Sequence, residues 1–254
     1  VKVLLGLAGL VGFGVLLEIA PRVGLVPARY APPTSDILTT LWQQVRRGEF
    51  WTAVGDTLVT WLLGLLIAIV AGVAVGVLIG SVPVLRALTA STIEFLRPIP
   101  SVALIPLVVV LYGSTIEATV ILVVYAAFWQ VLVQTLAGVA DIDPVAADTA
   151  RSYHLNRWAR VRWLIWPTAL PYAVTGIRLA ATVALILTIT GELVMGSPGL
   201  GQEIANARSS GAVPVMYALI VVTGLFGVAA NVLTRAAERR ALAWHPSVRT
   251  EVPA

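Results

Sequence analysis

Leu62–Gly80 reads LLGLLIAIVAGVAVGVLIG, a run with no charged or strongly polar side chain. A helix on the surface of a water-soluble protein is interrupted by polar residues every third or fourth position. The hydrocarbon core of a bilayer instead asks for roughly 20 consecutive apolar residues. This run therefore predicts a membrane span. Inside it Gly64, Ala68, Gly72, Gly76 and Gly80 recur every fourth residue. Residues four apart share a helix face, and a stripe of small ones lets another helix approach closely, so tight packing within a bundle is expected here.

Working outward, the run belongs to a span at about 52–82. Five further apolar segments, at about 3–19, 98–113, 117–140, 168–195 and 214–237, predict an all-α integral membrane protein with about six transmembrane helices. All of 1–254 reads as a single transmembrane domain. Pro21, Pro27, Pro32 and Pro33 break the chain after the first span. Residues 35–47 place Ile37, Leu38, Leu41, Trp42 and Val45 on one face, the pattern of an interfacial helix, with Thr34 or Ser35 as its cap. Residues 84–97, with Arg86, Glu94 and Arg97, read as a polar interruption. Pro98 and Pro100 suit a helix start, and Pro106 predicts a kink. Residues 196–213 read as a Gly/Ser/Pro loop and 238–254 as a charged tail. The chain begins at Val1 without methionine, and a segment ahead of it is expected to be missing.

Composition removes whole classes of function. Hydrophobic residues make up 58% and charged residues 12%, and the mean hydropathy is +0.91, far from an ordinary soluble chain. With no cysteine there is no disulfide, thiolate metal site or cysteine nucleophile. The two histidines, His154 and His245, fall in segments expected on the cytoplasmic side and make no metal site. Lys2 is the sole lysine and lies outside any Gly-x-x-x-x-Gly-Lys-Ser/Thr context, so a phosphate-binding loop is excluded. The net charge of +4 rests on arginine. It reads as anchoring at an anionic membrane surface, with no nucleic-acid partner. With the N-terminus inside, twelve basic residues fall in cytoplasmic segments against five outside, which places both termini in the cytoplasm.

Asp148–Pro171, DTARSYHLNRWARVRWLIWPTALP, is the polar stretch that stands out from this background. Arg151, Arg157, Arg160 and Arg162 fall within a dozen residues. Charges do not sit bare in hydrocarbon, and arginine-rich loops stay cytoplasmic. The segment at about 141–167 is thus a basic, tryptophan-bearing cytoplasmic loop, suited to docking a soluble partner.

This loop resembles the EAA motif of ABC importer permeases, Glu-Ala-Ala, three residues, Gly, nine residues, Ile-x-Leu-Pro. Asp148, Thr149 and Ala150 stand at the Glu-Ala-Ala positions, His154 at the glycine, and Leu164, Trp166 and Pro167 at the closing segment. Arg157-Trp158, Pro167–Pro171 and Thr175–Ala180 are also similar to that family. Asp for Glu is a mild departure. His154 replaces a residue that usually permits a backbone turn. Phe95–Pro100, Ser197–Gly201, and Glu238–Arg240 with Trp244-His245-Pro246 resemble the subfamily for nitrate, sulfonate, taurine and bicarbonate. The resemblance implies a type I importer permease in the cytoplasmic membrane. Its implied partners are a cytoplasmic ABC ATPase dimer, a second permease subunit in a homodimer, and an extracytoplasmic substrate-binding protein. ATP and magnesium belong to the ATPase, and this chain needs no cofactor. The coupling surface it implies comprises Asp148, Thr149, Ala150, Arg151, His154, Arg157, Trp158, Arg160, Arg162 and Pro167. Arg forks pair with carboxylates and Trp fills pockets, so such a loop can pass a motion on.

Polar residues within the spans are candidates for lining the passage. Tyr125, Trp129, Gln130 and Gln134 share roughly one helix face. Thr57, Thr60 and Trp61, and Thr188, Thr190 and Glu192, are the others. Interhelical hydrogen bonding is the alternative for each. Glu192, near the outer end, would repel an anion, and is expected to pair with a basic group or cap a loop. No paired carboxylates or nucleophile–base set is present, so no catalytic residue is assigned. A secondary transporter would want charges in mid-span, which the centres of these spans lack. Within the ABC permeases, an osmoprotectant or amino-acid permease is the nearest alternative.

Overall fold

The computed structural model describes residues 2–27 and 29–244, and for residues 2–4, 7 and 10 the backbone alone. His245, Pro246 and Arg249, part of the tail read from the sequence, lie outside the described residues. The described chain is helical: α1 (Lys2–Arg22), α2 (Thr34–Val45), α3 (Gly48–Ser81), α4 (Pro83–Leu96), α5 (Ile105–Tyr112), α6 (Ile116–Ala140), α7 (Pro144–Ser152), α8 (Arg157–Arg160), α9 (Trp166–Met195), α10 (Leu200–Ser209) and α11 (Val213–Ala241). A 3-10 turn, Ser101–Leu104, precedes α5, and a π-helical turn, Val161–Ile165, joins α8 to α9.

Among the described residues four helical runs are long and apolar enough to cross a membrane: Gly48–Ser81, Ile116–Ala140, Arg157–Met195 and Val213–Ala241. A fifth arises if α4 and the Ser101–Tyr112 segment, bent by 80°, are taken together. Four of the six expected segments fall in the four runs, and two details of the sequence reading differ. Residues 84–97 are helical rather than an interruption, and α5 is only 8 residues long, too short to span alone. Pro98 and Pro100 lie at the break, whereas Pro106 sits in the first turn of α5, where a missing N–H costs nothing, so it starts a helix instead of kinking one. α1 covers the expected first span but is not one of the four.

Two compact units divide the described chain, and both are discontinuous in sequence. The first comprises 1–58 and 189–226. Its core gathers Phe50, Ala53 and Val54 of α3, Leu200 and Ile204 of α10, and Leu219 and Val222 of α11. The amphipathic α2 belongs to this unit. Pro33 occupies its N-cap position without a side-chain cap. Glu18 of α1 takes over the capping expected of Thr34 or Ser35, accepting from the Ser35 N–H at 2.9 Å and the Ser35 hydroxyl at 3.0 Å. Leu38 and Trp42 stay exposed on α2, and the Arg46 guanidinium lies 4.5 Å over the Trp42 ring, a pairing suited to a headgroup layer.

The second unit, 59–188 and 227–254, is built around α6. The small-residue stripe of α3 lies against it. A Cβ added to Gly64 would stand 2.5 Å from Val123, to Gly72 2.7 Å from Val131, to Gly76 2.7 Å from Thr135, and to Gly80 2.8 Å from Val139. Every pair keeps the same offset in sequence, so the two helices run parallel in fixed register, with Ala68 and Ala127 both fully buried between the glycine contacts. Tight packing was the sequence expectation for this stripe, and it is what the structure shows. On another side of α6, Gly138 meets Ala169 and Tyr172, and Gly176 of α9 meets the Gln130 carbonyl and Gln134. Arg178 of α9 and Glu238 of α11 form a partly buried ion pair at 3.1 Å.

Candidate coupling site and passage residues

The basic loop is two short helices around a tight turn. Asp143 caps α7 by accepting from the Val145 N–H at 2.9 Å, and Pro144 fills the first helical position. Asp148 and Arg151 pair at 2.7 Å on its exposed surface. The Thr149 hydroxyl bonds back to the Val145 carbonyl, and Ala150 is buried. α7 ends in a Schellman turn: the His154 N–H donates to the Arg151 carbonyl and the Leu155 N–H to the Ala150 carbonyl. That motif needs a left-handed residue, and His154 adopts φ 50 to supply it. The histidine therefore keeps the turn that glycine makes in the resembled motif, at the expense of some backbone strain.

Asn156 then caps α8, accepting from the Ala159 N–H at 2.7 Å. Arg157 and Trp158 follow at once, and Trp158 is 74% exposed beside an equally open Tyr153 at 79%. The Arg162 guanidinium stacks 5.3 Å from the Trp163 ring. α7 packs on the π-helical turn, and Ile165 at its end is buried with Val139 and Ala169. Pro167 is the second residue of α9. The loop is thus anchored on its apolar side while Arg151, Arg157, Arg162 and the rings of Tyr153, Trp158 and Trp163 are exposed; Arg160 is only partly exposed, and its Nε is buried without a partner among the described residues. The caps Asp143 and Asn156 were legible as Asp-Pro and as Asn before a helix, but the sequence reading did not use them.

The candidate passage residues separate into groups. Trp61 is buried and its indole N–H donates to the Ala181 carbonyl at 3.0 Å. Thr188, fully buried, bonds back to the Ala184 carbonyl. The Tyr125 hydroxyl donates to the Leu96 carbonyl at 2.9 Å, and its ring stands edge-on to Trp129. Trp129 Nε1 and Thr60 Oγ1 are buried without a partner among the described residues. Gln130 and Gln134 remain partly exposed, and so does Thr190. In the other unit, Thr57 and Glu192 are fully buried and bonded to each other at 3.0 Å. Residues 196–213, read as a loop, contain α10, whose first amides meet this pair: the Leu200 N–H donates to the Thr57 hydroxyl and the Gly201 N–H to the Glu192 carboxylate, both at 2.9 Å. The sequence reading missed α10 because the turn residues Gly196–Gly199 ahead of it and Ser209–Gly211 at its end framed the whole segment as a loop.

Residues 64–242 match the family model for the binding-protein-dependent transport system inner membrane component. The chain belongs to this family. It is the multi-pass permease component of an ABC importer, and such systems place ATP hydrolysis in a separate subunit and draw on a binding protein. Among its relatives is the taurine transport system permease protein of Escherichia coli, 30% identical over 231 residues, covering 89% of this chain and 84% of the relative. The nitrate import permease protein of Leptolyngbya laminosa is 29% identical over 188 residues, covering 74% of this chain and 67% of the relative. The permease fold is that of the methionine ABC transporter in an inward-facing conformation, with a TM-score of 0.66 at 19% identity over 76% of this chain and 96% of that one.

Proposed function

We propose that this permease passes a small oxyanion-bearing solute, of sulfonate or nitrate type, and is driven through the 148–167 loop. The substrate class is carried over from the taurine and nitrate permeases it is similar to. Gln130 and Gln134, partly exposed on α6, can offer amide donors to such an anion without a fixed charge that would hold it. The permease pairs with a second copy of itself, with both termini in the cytoplasm, as the distribution of arginine favours.

One observation carries the coupling reading. A capped helix, a Schellman turn and a second capped helix present Tyr153, Arg157 and Trp158 to solvent, on a base pinned by Ile165. Large exposed aromatics beside arginine are the composition of an interface core. ATP-driven closure of the ATPase pair then moves α8, and with it the continuous run Arg157–Met195.

The test is co-purification of the permease with its ATPase in nanodiscs. The double substitution Arg157→Ala, Trp158→Ala is expected to abolish ATPase recovery while the permease keeps its melting temperature. Full recovery with normal uptake would overturn the docking assignment. Uptake of taurine and of nitrate by the complete transporter, each competed by methionine, tests the solute class.

A further inference from the structure

We propose that Glu192, with Thr57, is a positioning residue that binds α10 to α9 and α3, so that α10 follows α9 through the transport cycle. The proposal deepens the coupling reading above and rests on it.

The local geometry is unusual for a helix start. The N-cap position of α10 is Gly199, which has no side chain to cap with, and its φ is 146. The first amides of α10 are satisfied from outside: Leu200 by Thr57 of α3 and Gly201 by Glu192 of α9. Thr57 in turn donates to Glu192. One hydroxyl and one carboxyl therefore join three helices. Both side chains are fully buried, and so is Leu200. A Cβ at Gly199 would collide with the Glu192 carboxyl group, and one at Gly201 would stand 2.5 Å from the Ile189 carbonyl and 2.6 Å from Glu192 Cβ. Gly199 thus makes room for the carboxyl group, and Gly201 for the α9 backbone that carries it.

A helix start capped by its own serine or aspartate, on an extended backbone, would need no buried carboxyl group from elsewhere. Burying one is costly unless its oxygens are bonded, and here Oε1 has no partner among the described residues. The arrangement gives up local stability and gains a connection. It connects α10 to the helical run that begins at Arg157 and Trp158 and ends at Met195, three residues past Glu192. The run therefore carries the candidate docking residues at one end and the cap of α10 at the other. α10 itself exposes Glu203, Asn206 and Arg208, a polar face that its cap sets in place.

The experiment uses the complete transporter, permease with ATPase and binding protein, in proteoliposomes, with taurine and nitrate as the solutes tested. Solute imported per ATP hydrolysed is measured for Thr57→Val, Glu192→Gln and Glu192→Ala, alongside a nitroxide placed at Asn206. Thr57→Val is expected to lower solute per ATP at least five-fold and to sharpen the nitroxide spectrum, reporting a loosened α10. Glu192→Ala is expected to do so more strongly, and Glu192→Gln, which keeps an acceptor oxygen, less than either. Should Glu192→Ala not assemble, Thr57→Val decides alone. Wild-type solute per ATP with an unchanged nitroxide in Thr57→Val would overturn the proposal. ATPase recovery in the same preparations separates this outcome from a failure of the docking assignment, which would remove the ATPase altogether.

Discussion

Gly72 faces Val131 so closely that a methyl group added to the glycine would lie 2.7 Å from the Val131 Cβ. Val131 is fully buried, and the contacted atom is attached directly to its backbone, so it has little room to give. Gly72→Ala should destabilise the bundle by about 1–3 kcal/mol, the usual effect of overpacking. Gly72→Leu should prevent stable folding. Thermal unfolding in detergent checks both, and an unchanged melting temperature for Gly72→Leu would mean the two helices are not held in this register.

His154 poses the opposite situation. Its left-handed backbone is strained for an L-residue, and its side chain is exposed. His154→Gly should stabilise the turn by up to about 1 kcal/mol, the relief of strain being partly offset by greater freedom of the unfolded chain. His154→Val should destabilise it, because a β-branched residue suits φ > 0 poorly. Hydrogen exchange at the Leu155 amide, which closes the Schellman turn, should slow in the first variant and quicken in the second.

Asp148 pairs with Arg151 at 2.7 Å, but both side chains are about two-thirds exposed. Such a pair contributes little in water, so Asp148→Asn should change stability by less than about 0.5 kcal/mol. If the variant loses ATPase binding with its melting temperature intact, Asp148 acts on the partner rather than on α7.

Trp61 donates its indole N–H to the Ala181 carbonyl from a buried position. Trp61→Phe retains much of the ring but removes the donor, and should cost about 1–2 kcal/mol. Comparison with Trp61→Leu by denaturant unfolding brackets the share of packing, since Trp61→Leu gives up the whole aromatic ring as well as the donor.

Much of this was written in the sequence because apolar length and small-residue spacing are local signals. The α3 stripe gave both the span and its packing face, and the 148–167 loop announced itself by concentrating arginine in an apolar chain. Short helices were less legible. α10 opens after Ser-Pro-Gly and its amides are capped by residues 143 and 9 positions away in sequence, so no serine or aspartate at the cap position itself marks its start. α4 was hidden because its charges suggested a loop, though Pro83 at its first turn is a helix-start signal. At His154 the residue type pointed away from a turn that the hydrogen bonds of its neighbours nonetheless impose.

The constant register between α3 and α6 limits how the protein can move. Each glycine is a notch that receives one side chain from the facing helix. A slide of one or two residues would drive Val123, Val131 or Val139 onto a larger neighbour. Only a step of four residues, about 6 Å of helix rise, would bring notches and teeth back into mesh. Such a step would leave a notch empty at one end. The pair is therefore geared: across an import cycle α3 and α6 tilt together as one beam, and any change of access has to come from helices outside it.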